Sequence, residues 1–332
     1  MRNTLLIAGL IAVVGAIAPF SGLYPLFLMK CMALAIFAIA FNFFTGYVGL
    51  LSIGHAAFYG MGAYFGGYAI KTYGITTEVA LLIGMATGAV LGLLFGLLAI
   101  RRRGIYFAMI TLALAQMVYF FCVQAPFTGA EDGLQRIPRG ALFGLIDLSS
   151  DLSMYYFTLL LLIIALMAVQ YLVSAPFGQV LKAIRDNEPR AISLGYDVQR
   201  YKLIAFVISA ALAGGAGSLK AMILSLAGLP DVHWTNSGAV ILMCLLGGLG
   251  TTLGPVVGAV MVVLLETELA GIGVVKIGSF SLDLSSKVPI VIGVVFMVTV
   301  LLFRKGIVGE IQSLIERHQR RRTGKPMSET IQ

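Results

Sequence analysis

The sequence predicts an all-α fold, a polytopic bundle of transmembrane helices with about ten spans. Of its 332 residues, 59% are hydrophobic and only 11% are charged, which is far too apolar for a soluble domain. Apolar stretches of about 20 residues, the length that crosses hydrocarbon as a helix, recur along nearly the whole chain. The polar intervals between them are too short to fold separately. We therefore expect residues 1–332 to form a single transmembrane domain.

Apolar windows bounded by charged or turn residues define the predicted spans. They are Thr4 to Phe20, Tyr24 to Phe44, Gly46 to Ile70, Glu78 to Ile100, Ile105 to Gln124, Met154 to Val173, Leu203 to Leu224, Ser237 to Leu265 and Val288 to Phe303. The first run follows Arg2 and also fits a secretory signal that ends at small residues. Because Pro19 directly follows those residues, we expect the run to be retained as the first transmembrane helix.

The distribution of Lys and Arg orients the spans. The N-terminal end, the Arg101 to Arg103 triplet, the loop 174–202 and the tail 304–332 together hold 16 of the 23 basic residues but only 6 of the 15 acidic ones. Basic residues are retained on the cytoplasmic side of a membrane, so both termini, the loop and the basic tail are predicted to be cytoplasmic. The net charge of +8 is thus an orientation signal, and no nucleic acid partner is expected.

The segment from Ser237 to Leu265 must enter the membrane and return. The polar stretches on its two sides, near Asp231 and from Glu268 to Lys287, both fall on the outer side, so one straight crossing would break the topology. We predict a hairpin of two short half-helices that turns at Gly247-Gly248-Leu249-Gly250-Thr251-Thr252. Non-helical backbone at membrane depth is tolerated only inside protein or along a watery path, so this turn is a candidate pathway wall.

Small residues spaced four apart indicate close helix packing. Such repeats are Gly62 and Gly66, Gly88, Gly92 and Gly96, and Gly250, Gly254 and Gly258. In lipid no hydrophobic drive holds helices together, and small residues allow backbones to approach closely. The repeats therefore predict a packed bundle.

The loop 174–202 has the composition of structured helices. Asn187 is placed to cap a short second helix, Pro189 suits its first turn, and Gly195 suits its left-handed end. Lys182, Asp186 and Arg190 are spaced four apart, so we expect them to pair along one helical face. The loop is therefore predicted to present a short surface helix to a partner, although a solvated connection would also fit.

Several motifs carry a family resemblance. The loop resembles the coupling motif with which permeases of ABC transporters dock into their ATPase subunits, on residues Ala183, Ile184, Arg185, Asp186, Asn187, Glu188, Arg190, Ala191 and Gly195. Three other segments and this loop are similar to the LivM-type branched-chain amino acid permeases: Ser52-Ile53-Gly54-His55-Ala56-Ala57-Phe58, Leu246-Gly247-Gly248-Leu249-Gly250-Thr251 and Arg304-Lys305-Gly306-Ile307-Val308-Gly309. The resemblance covers nearly the whole chain.

The resemblance implies a multi-pass permease domain in a bacterial inner (plasma) membrane that imports branched-chain or related hydrophobic amino acids. Its implied partners are a second, LivH-like permease subunit, two ATP-binding subunits, a periplasmic or extracellular substrate-binding protein and the lipid bilayer. No cofactor of its own is expected, since ATP would be bound by the partner subunits. In agreement, Gly324-Lys325 is followed by Pro326 and forms no phosphate-binding loop, and no catalytic residues are recognisable.

Six residues are candidates for the translocation path: Asn42, Ser52, His55, Gly247, Gly248 and Gly250. His55 is the one histidine within an apolar segment, and ionisable groups in a membrane are functional by default. A helix starting near Ser52 could offer its free amides to a substrate carboxylate. Alternatively, His55 and Asn42 make hydrogen bonds between helices. No second metal ligand lies at a suitable spacing, so no metal site is expected.

Other transport classes remain as alternatives. A permease for urea or short amides would share the same motifs, and an ion-coupled secondary transporter would share the glycine-rich turns. A secondary transporter needs an ionisable group deep in the membrane to couple transport to ions. This alternative is weakened because the charged residues Lys30, Lys220, Glu266 and Glu268 fall near span ends, which leaves no isolated carboxylate at depth. A channel would need a charged ring or filter motif, and the sequence contains none.

Overall fold

A computed structural model describes residues 9, 12–21, 24–144, 146–272, 274–277, 280–283, 288–302 and 306–310. The protein is mostly helical in these ranges. The helices are α1 (residues 12–17), α2 (Pro25–Val48), α3 (His55–Tyr73), α4 (Thr77–Ala99), α5 (Ile105–Gln124), α6 (Asp151–Ser174), α7 (Pro176–Asp186), α8 (Glu188–Ser193), α9 (Val198–Leu224), α10 (Leu229–Val232), α11 (Trp234–Gly247), α12 (Gly254–Ile272) and α13 (Val288–Leu302).

Among the described helices, five are long and apolar enough to cross a membrane: α2, α4, α5, α6 and α9. This confirms a polytopic helical membrane protein. The predicted span from Ile105 to Gln124 coincides with α5 at both ends. The sequence sets these limits because Gly104 precedes the helix with a positive φ of 57° and Pro126 follows shortly after its end.

The predicted span from Gly46 to Ile70 is wrong at its start. Residues 46–48 complete α2, which ends where Gly49 adopts a left-handed conformation with φ of 81°. A non-helical break at residues 49–54 follows, and α3 begins only at His55. The apolar run continues through the break, which is why hydropathy alone placed the start of the span in the preceding helix.

The all-α prediction misses three short antiparallel strand pairs within the described ranges. β1 (Leu134–Gln135) pairs with β4 (Leu226–Ala227), β2 (Ala141–Leu142) with β3 (Ile146–Asp147), and β5 (Val274–Ile277) with β6 (Phe280–Asp283). All six strands lie in connections between long helices. Their backbone groups pair locally there, in segments too short to give an alternating pattern in the sequence.

The segment predicted to turn back does form two helices. α11 and α12 pack against each other and are joined by a turn in which Gly248 and Gly250 have positive φ values of 116° and 76°. α11 has 14 residues, but α12 has 19 and is therefore longer than the predicted half-helix. At about 1.5 Å per residue, α12 approaches the length of a full crossing.

The bundle is organised around α9, which packs along α2, α3 and α4. Glycine makes this possible, because a Cβ atom at Gly62 or at Gly88 would overlap a backbone carbonyl oxygen of α9. Conversely, a Cβ at Gly214 would overlap the carbonyl oxygen of Gly84 on α4. The predicted glycine packing is thus confirmed for α3 and α4, and their shared partner is α9.

Helices at the periphery expose apolar side chains. Leu97 and Leu98 of α4 and Met117 and Phe120 of α5 are more than half exposed. By contrast, α2 is buried almost throughout from Cys31 to Val48. An apolar outer surface around a buried helical centre is what a lipid environment requires.

The predicted first span is described only from residue 12 onward, apart from Gly9; the rest of it lies outside the described residues. Its described part packs on α6, where the Tyr155 hydroxyl donates to the carbonyl oxygen of Gly15 at 2.6 Å. The tail beyond residue 310 also lies outside the described residues.

Replacing Gly217 of α9 tests the close approach of the backbones. In Gly217→Ala the new Cβ would overlap the Tyr59 carbonyl oxygen of α3, and we expect the free energy of unfolding to fall by about 1–3 kcal/mol. Gly293→Ala in α13 is the matched control, because among the described residues nothing beyond its own helix backbone and its chain neighbours lies within 4 Å of where its new Cβ would stand. Thermal unfolding in detergent measures both. Equal melting temperatures for the two variants would contradict the packing described above.

Candidate functional site

Asn42 of α2 holds the turn between α11 and α12. Its side-chain Nδ2 donates to the Thr251 carbonyl oxygen at 3.0 Å, and its Oδ1 accepts from the Gly250 backbone N–H at 2.8 Å. Asn42 is 3% exposed. One buried amide therefore satisfies both a donor and an acceptor of a backbone segment that has no helical partners, as irregular backbone inside a membrane protein requires.

The same turn lies against the end of α2 and the side chain of Arg185 from α7. A Cβ atom at Gly46 would lie 2.7 Å from the Gly250 nitrogen, so only glycine allows this approach. Arg185 donates from its guanidinium to the Gly46 carbonyl oxygen. We call Asn42, Gly46, Arg185 and the turn at residues 248–252 the turn junction, since it joins α2, α7 and the α11–α12 pair.

The loop 174–202 folds into α7 and α8, as its local signals predict. The Asn187 side chain caps α8 by accepting from the Arg190 N–H at 3.0 Å, Pro189 lies in the first turn, and Gly195 has a φ of 87°. The predicted pairing through Asp186 is wrong: in the described part of the chain it forms no ion pair with Lys182 or Arg190. α7 ends at Asp186 and Asn187 is extended, so the helical spacing to Arg190 is interrupted, while the Lys182 amine lies over the Tyr47 ring, 5.9 Å from its centroid.

Glu188 points back into the protein. Its carboxylate lies 2.7 Å from the Lys202 amine and 3.2 Å from Nε of Arg103. Lys202 is 3% exposed, so this carboxylate compensates a buried charge and also ties α8 to α9 and to the α4–α5 connection. The sequence predicts neither partner, because Lys202 lies 14 positions after Glu188 in another helix and no local spacing relates Arg103 to Glu188.

The surface of this loop is unusually apolar. On the inner side, Leu181 and Ile184 of α7 are buried. On the face turned away from the bundle, Ile192 of α8 and the following Leu194 and Tyr196 are 50%, 68% and 40% exposed. Apolar residues grouped on a polar loop indicate a contact surface for another molecule. We call Ile192, Leu194 and Tyr196 the α8 surface.

His55 makes a hydrogen bond between helices. Ser209 of α9 donates to the Ala40 carbonyl oxygen at 2.6 Å, so its oxygen is free to accept from Nε2–H of His55 at 2.9 Å. The ring is fully buried and is surrounded by aromatic rings, among them Phe41 and Phe206. Of the two readings of the sequence, the structure therefore matches the hydrogen bond between helices.

The amides at the start of α3 already have partners. The Ala56 N–H donates to the Ser237 hydroxyl of α11 at 2.8 Å, and the Ile53 N–H donates to the Thr111 hydroxyl of α5 at 3.2 Å. The hydroxyls act as caps supplied by other helices. Ser52 is fully buried beside them. This arrangement offers no free amide from Ile53 or Ala56 to a carboxylate.

The six predicted path residues thus fall into two separate groups. Asn42 and Gly250 meet at the turn junction, where Gly247 and Gly248 end α11, while Ser52 and His55 lie at the start of α3. Their role in translocation stays a prediction. Across the ranges that the structure describes, no group of three His, Cys, Asp or Glu side chains could hold a metal ion.

Several apolar spans around a buried helix, with two short helices folded at one end, define an integral membrane protein of the polytopic helical class. The sequence profile described as "Branched-chain amino acid transport system / permease component" matches residues 24–303, and the chain belongs to this family. The resemblance seen in the motifs is therefore confirmed.

Individual relatives agree. The chain is 31% identical over 255 residues to the high-affinity branched-chain amino acid transport system permease protein LivM of Escherichia coli, a match that covers 70% of this chain and 60% of the relative. LivM of Salmonella typhimurium is 30% identical over 255 residues, which again cover 70% of this chain and 60% of the relative. A probable branched-chain amino acid transport permease protein LivM of Methanocaldococcus jannaschii is 26% identical over 58% of this chain and 55% of its own length. The matches thus span less than two thirds of these relatives.

Substituting Asn42 tests its hold on the turn. Asn42→Leu has a similar volume but leaves the Gly250 N–H and the Thr251 carbonyl without partners, and we expect a loss of about 1–3 kcal/mol in the free energy of unfolding. Hydrogen exchange measured by mass spectrometry should rise at residues 248–252. Thr87→Val removes only a bond within α4 and should leave that segment unchanged. Unchanged exchange in Asn42→Leu would show that the amide does not hold the turn.

Proposed function

We propose that this chain is the membrane-spanning permease subunit of an ABC importer that carries branched-chain or related hydrophobic amino acids into the cytoplasm. The observation that carries the proposal is the combination of family membership with a folded loop that presents the α8 surface. Separate ATPase subunits supply the energy, because the chain has no phosphate-binding loop of its own. A second permease subunit and a soluble substrate-binding protein complete the transporter.

In this proposal the α8 surface docks into an ATPase subunit. Ile192, Leu194 and Tyr196 supply apolar contacts, while the exposed Arg190 supplies a charge at the edge. Glu188 contributes to the coupling from behind this surface. Its ion pairs with Lys202 and Arg103 hold α8 in position under the bundle, so that a force on α8 is passed to α9 and the α4–α5 connection.

The turn junction then transmits motion to the pathway. Arg185 on α7 bonds the end of α2, and Asn42 on α2 bonds the turn between α11 and α12. A displacement of α7 driven by the ATPases would move both elements together. Gly247, Gly248 and Gly250 would allow the turn to change its backbone conformation without steric cost. This supports the turn, more than the buried His55 region, as the moving wall of the path.

The proposed topology has about ten spans, with the α11–α12 pair counted as two and both termini in the cytoplasm. The chain then lies in a bacterial inner (plasma) membrane as a multi-pass protein, with α7, α8 and the tail 304–332 on the cytoplasmic side. The basic loop and the Arg101 to Arg103 triplet support this orientation.

Purification of the tagged chain from its native membrane in mild detergent tests the transporter class. We expect an ATPase with a Walker motif and a second permease to co-purify, and leucine uptake by reconstituted vesicles to require ATP and the binding protein. Uptake of urea in place of amino acids would assign the short-amide class. Uptake driven by an ion gradient, by the chain alone and without ATP, would overturn the proposal in favour of a secondary transporter.

Charging the α8 surface tests the docking. Leu194→Glu places a carboxylate on a side chain that is 68% exposed, so the fold should be unaffected while the ATPase contact weakens. We expect transport and co-purification of the ATPase to fall at least about tenfold, which corresponds to a loss of about 1.4 kcal/mol of binding. The control is Arg200→Gln, which removes an exposed ion pair with Asp197 on the same side. Unchanged uptake by Leu194→Glu would exclude this surface as the docking site.

A further inference from the structure

A charged cavity lies at the end of the bundle away from the coupling loop. Lys30 is about 24 Å along α2 from Gly46, the residue that contacts Arg185. The cavity has a volume of about 150 Å³ and is lined by four ionisable side chains, Lys30, Lys220, Asp231 and Glu266, which come from α2, α9, α10 and α12. Ionisable groups gathered inside a membrane bundle point to function, because burying them is costly.

The two ion pairs in the cavity differ in how firmly they are held. Lys220 and Asp231 are 2.6 Å apart, their side chains are 14% and 11% exposed, and Asp231 also accepts from the Gly228 N–H. This pair closes a loop at the end of α9. Lys30 and Glu266 are 3.9 Å apart and 38% and 36% exposed, so their mutual attraction is weaker and their remaining hydrogen-bonding capacity is open to another molecule.

Apart from Tyr59 and Asn236, the rest of the lining is apolar. Leu34, Leu224 and Met243 face the same cavity, so it combines a cation and an anion with a hydrophobic wall. A larger groove of about 800 Å³ along α11 shares Asp231 and Glu266 with it and opens it to the surface. A cavity of about 150 Å³ is large enough for an apolar molecule of about six carbon atoms, the number in leucine.

We propose that this cavity binds a zwitterionic amino acid with an apolar side chain on its way through the permease, an inference that rests on the proposed function. Lys30 receives the carboxylate and Glu266 receives the ammonium group, so the ligand inserts between two residues that are loosely paired without it. Lys220 and Asp231 remain paired and fix the cavity wall. Leu34, Leu224 and Met243 contact the aliphatic side chain.

This arrangement adds a selection step inside the membrane subunit. A molecule with only one of the two charges would leave either Lys30 or Glu266 without a partner in a partly desolvated cavity. A zwitterion gives both Lys30 and Glu266 a new partner of opposite charge at once. The site therefore favours amino acids over the related carboxylates and amines, whichever of them the binding protein delivers.

Equilibrium binding of radiolabelled leucine to the assembled transporter in nanodiscs, without the binding protein, tests the site. Lys30→Gln and Glu266→Gln should each weaken binding at least about tenfold, since a hydrogen bond to a charged group is worth about 1.5–3 kcal/mol. Lys30→Arg keeps the charge and should bind within about threefold of the wild type. Arg200→Gln, which removes the exposed pair with Asp197, should bind like the wild type.

Competition distinguishes ligand contact from a structural role. Isocaproate and isopentylamine are leucine without its ammonium and without its carboxylate, and both should compete poorly for the wild-type site. In Glu266→Gln, isocaproate should compete as well as leucine, because the anion that receives the ammonium is gone and Asp231 stays paired with Lys220. A purely structural ion pair would lower the affinity for all three compounds together. That outcome, or unchanged leucine binding in both variants, would overturn the inference.

Transport assays separate this inference from the proposed function. If the complete wild-type transporter takes up leucine with ATP but does not bind it without the binding protein, the cavity site is disproved and the importer stands. If no amino acid is taken up at all, the proposed function fails first. Should Lys30→Gln not assemble with its partners, Glu266→Gln and its competition profile decide the question alone.

Discussion

The close approach of helix backbones along α9 is the constraint on which the other features depend. In hydrocarbon, burial of apolar side chains does not favour one helix contact over lipid, so contact area between backbones has to supply the attraction. Gly62 of α3 and Gly88 of α4 provide it by lying against α9, where any larger residue would overlap a carbonyl oxygen. With its neighbours so close, α9 can also place Ser209 against His55 and Lys202 against Glu188.

The second constraint is that each interruption of a helix leaves backbone groups without partners. At two breaks in the described chain, the turn after α11 and the start of α3, a polar side chain from another helix supplies a missing bond. Asn42 does so for the turn after α11, and Ser237 and Thr111 do so at the start of α3. Polar residues scattered through apolar spans, which in a sequence look like functional candidates, are thus first needed to complete the backbone.

The sequence predicts those parts of the fold that local signals determine. Asn187, Pro189 and Gly195 determine the start and end of a helix only a few residues away. The structure confirms the predicted position of each of them. Long-range partners leave no such signal: the contact of Glu188 with Arg103 joins residues 85 positions apart in the sequence. The start of α3 was misplaced for a related reason. In the sequence, Gly46 suggests the end of a helix, yet it lies inside α2. A glycine is needed there because the turn at Gly250 packs against it.

α2 links the two polar ends of the protein. It carries Lys30 in the charged cavity and Asn42 and Gly46 at the turn junction, and it is buried almost throughout between them. A buried helix in contact with α6, α9 and α12 cannot bend easily, because each contact would have to repack. Under the proposed function it would therefore act as a rigid rod of about 24 Å between the two ends. In that case a force applied at α7 enters α2 through Arg185 and reaches both polar ends of the helix, so the charged cavity and the turn junction respond to the ATPases together.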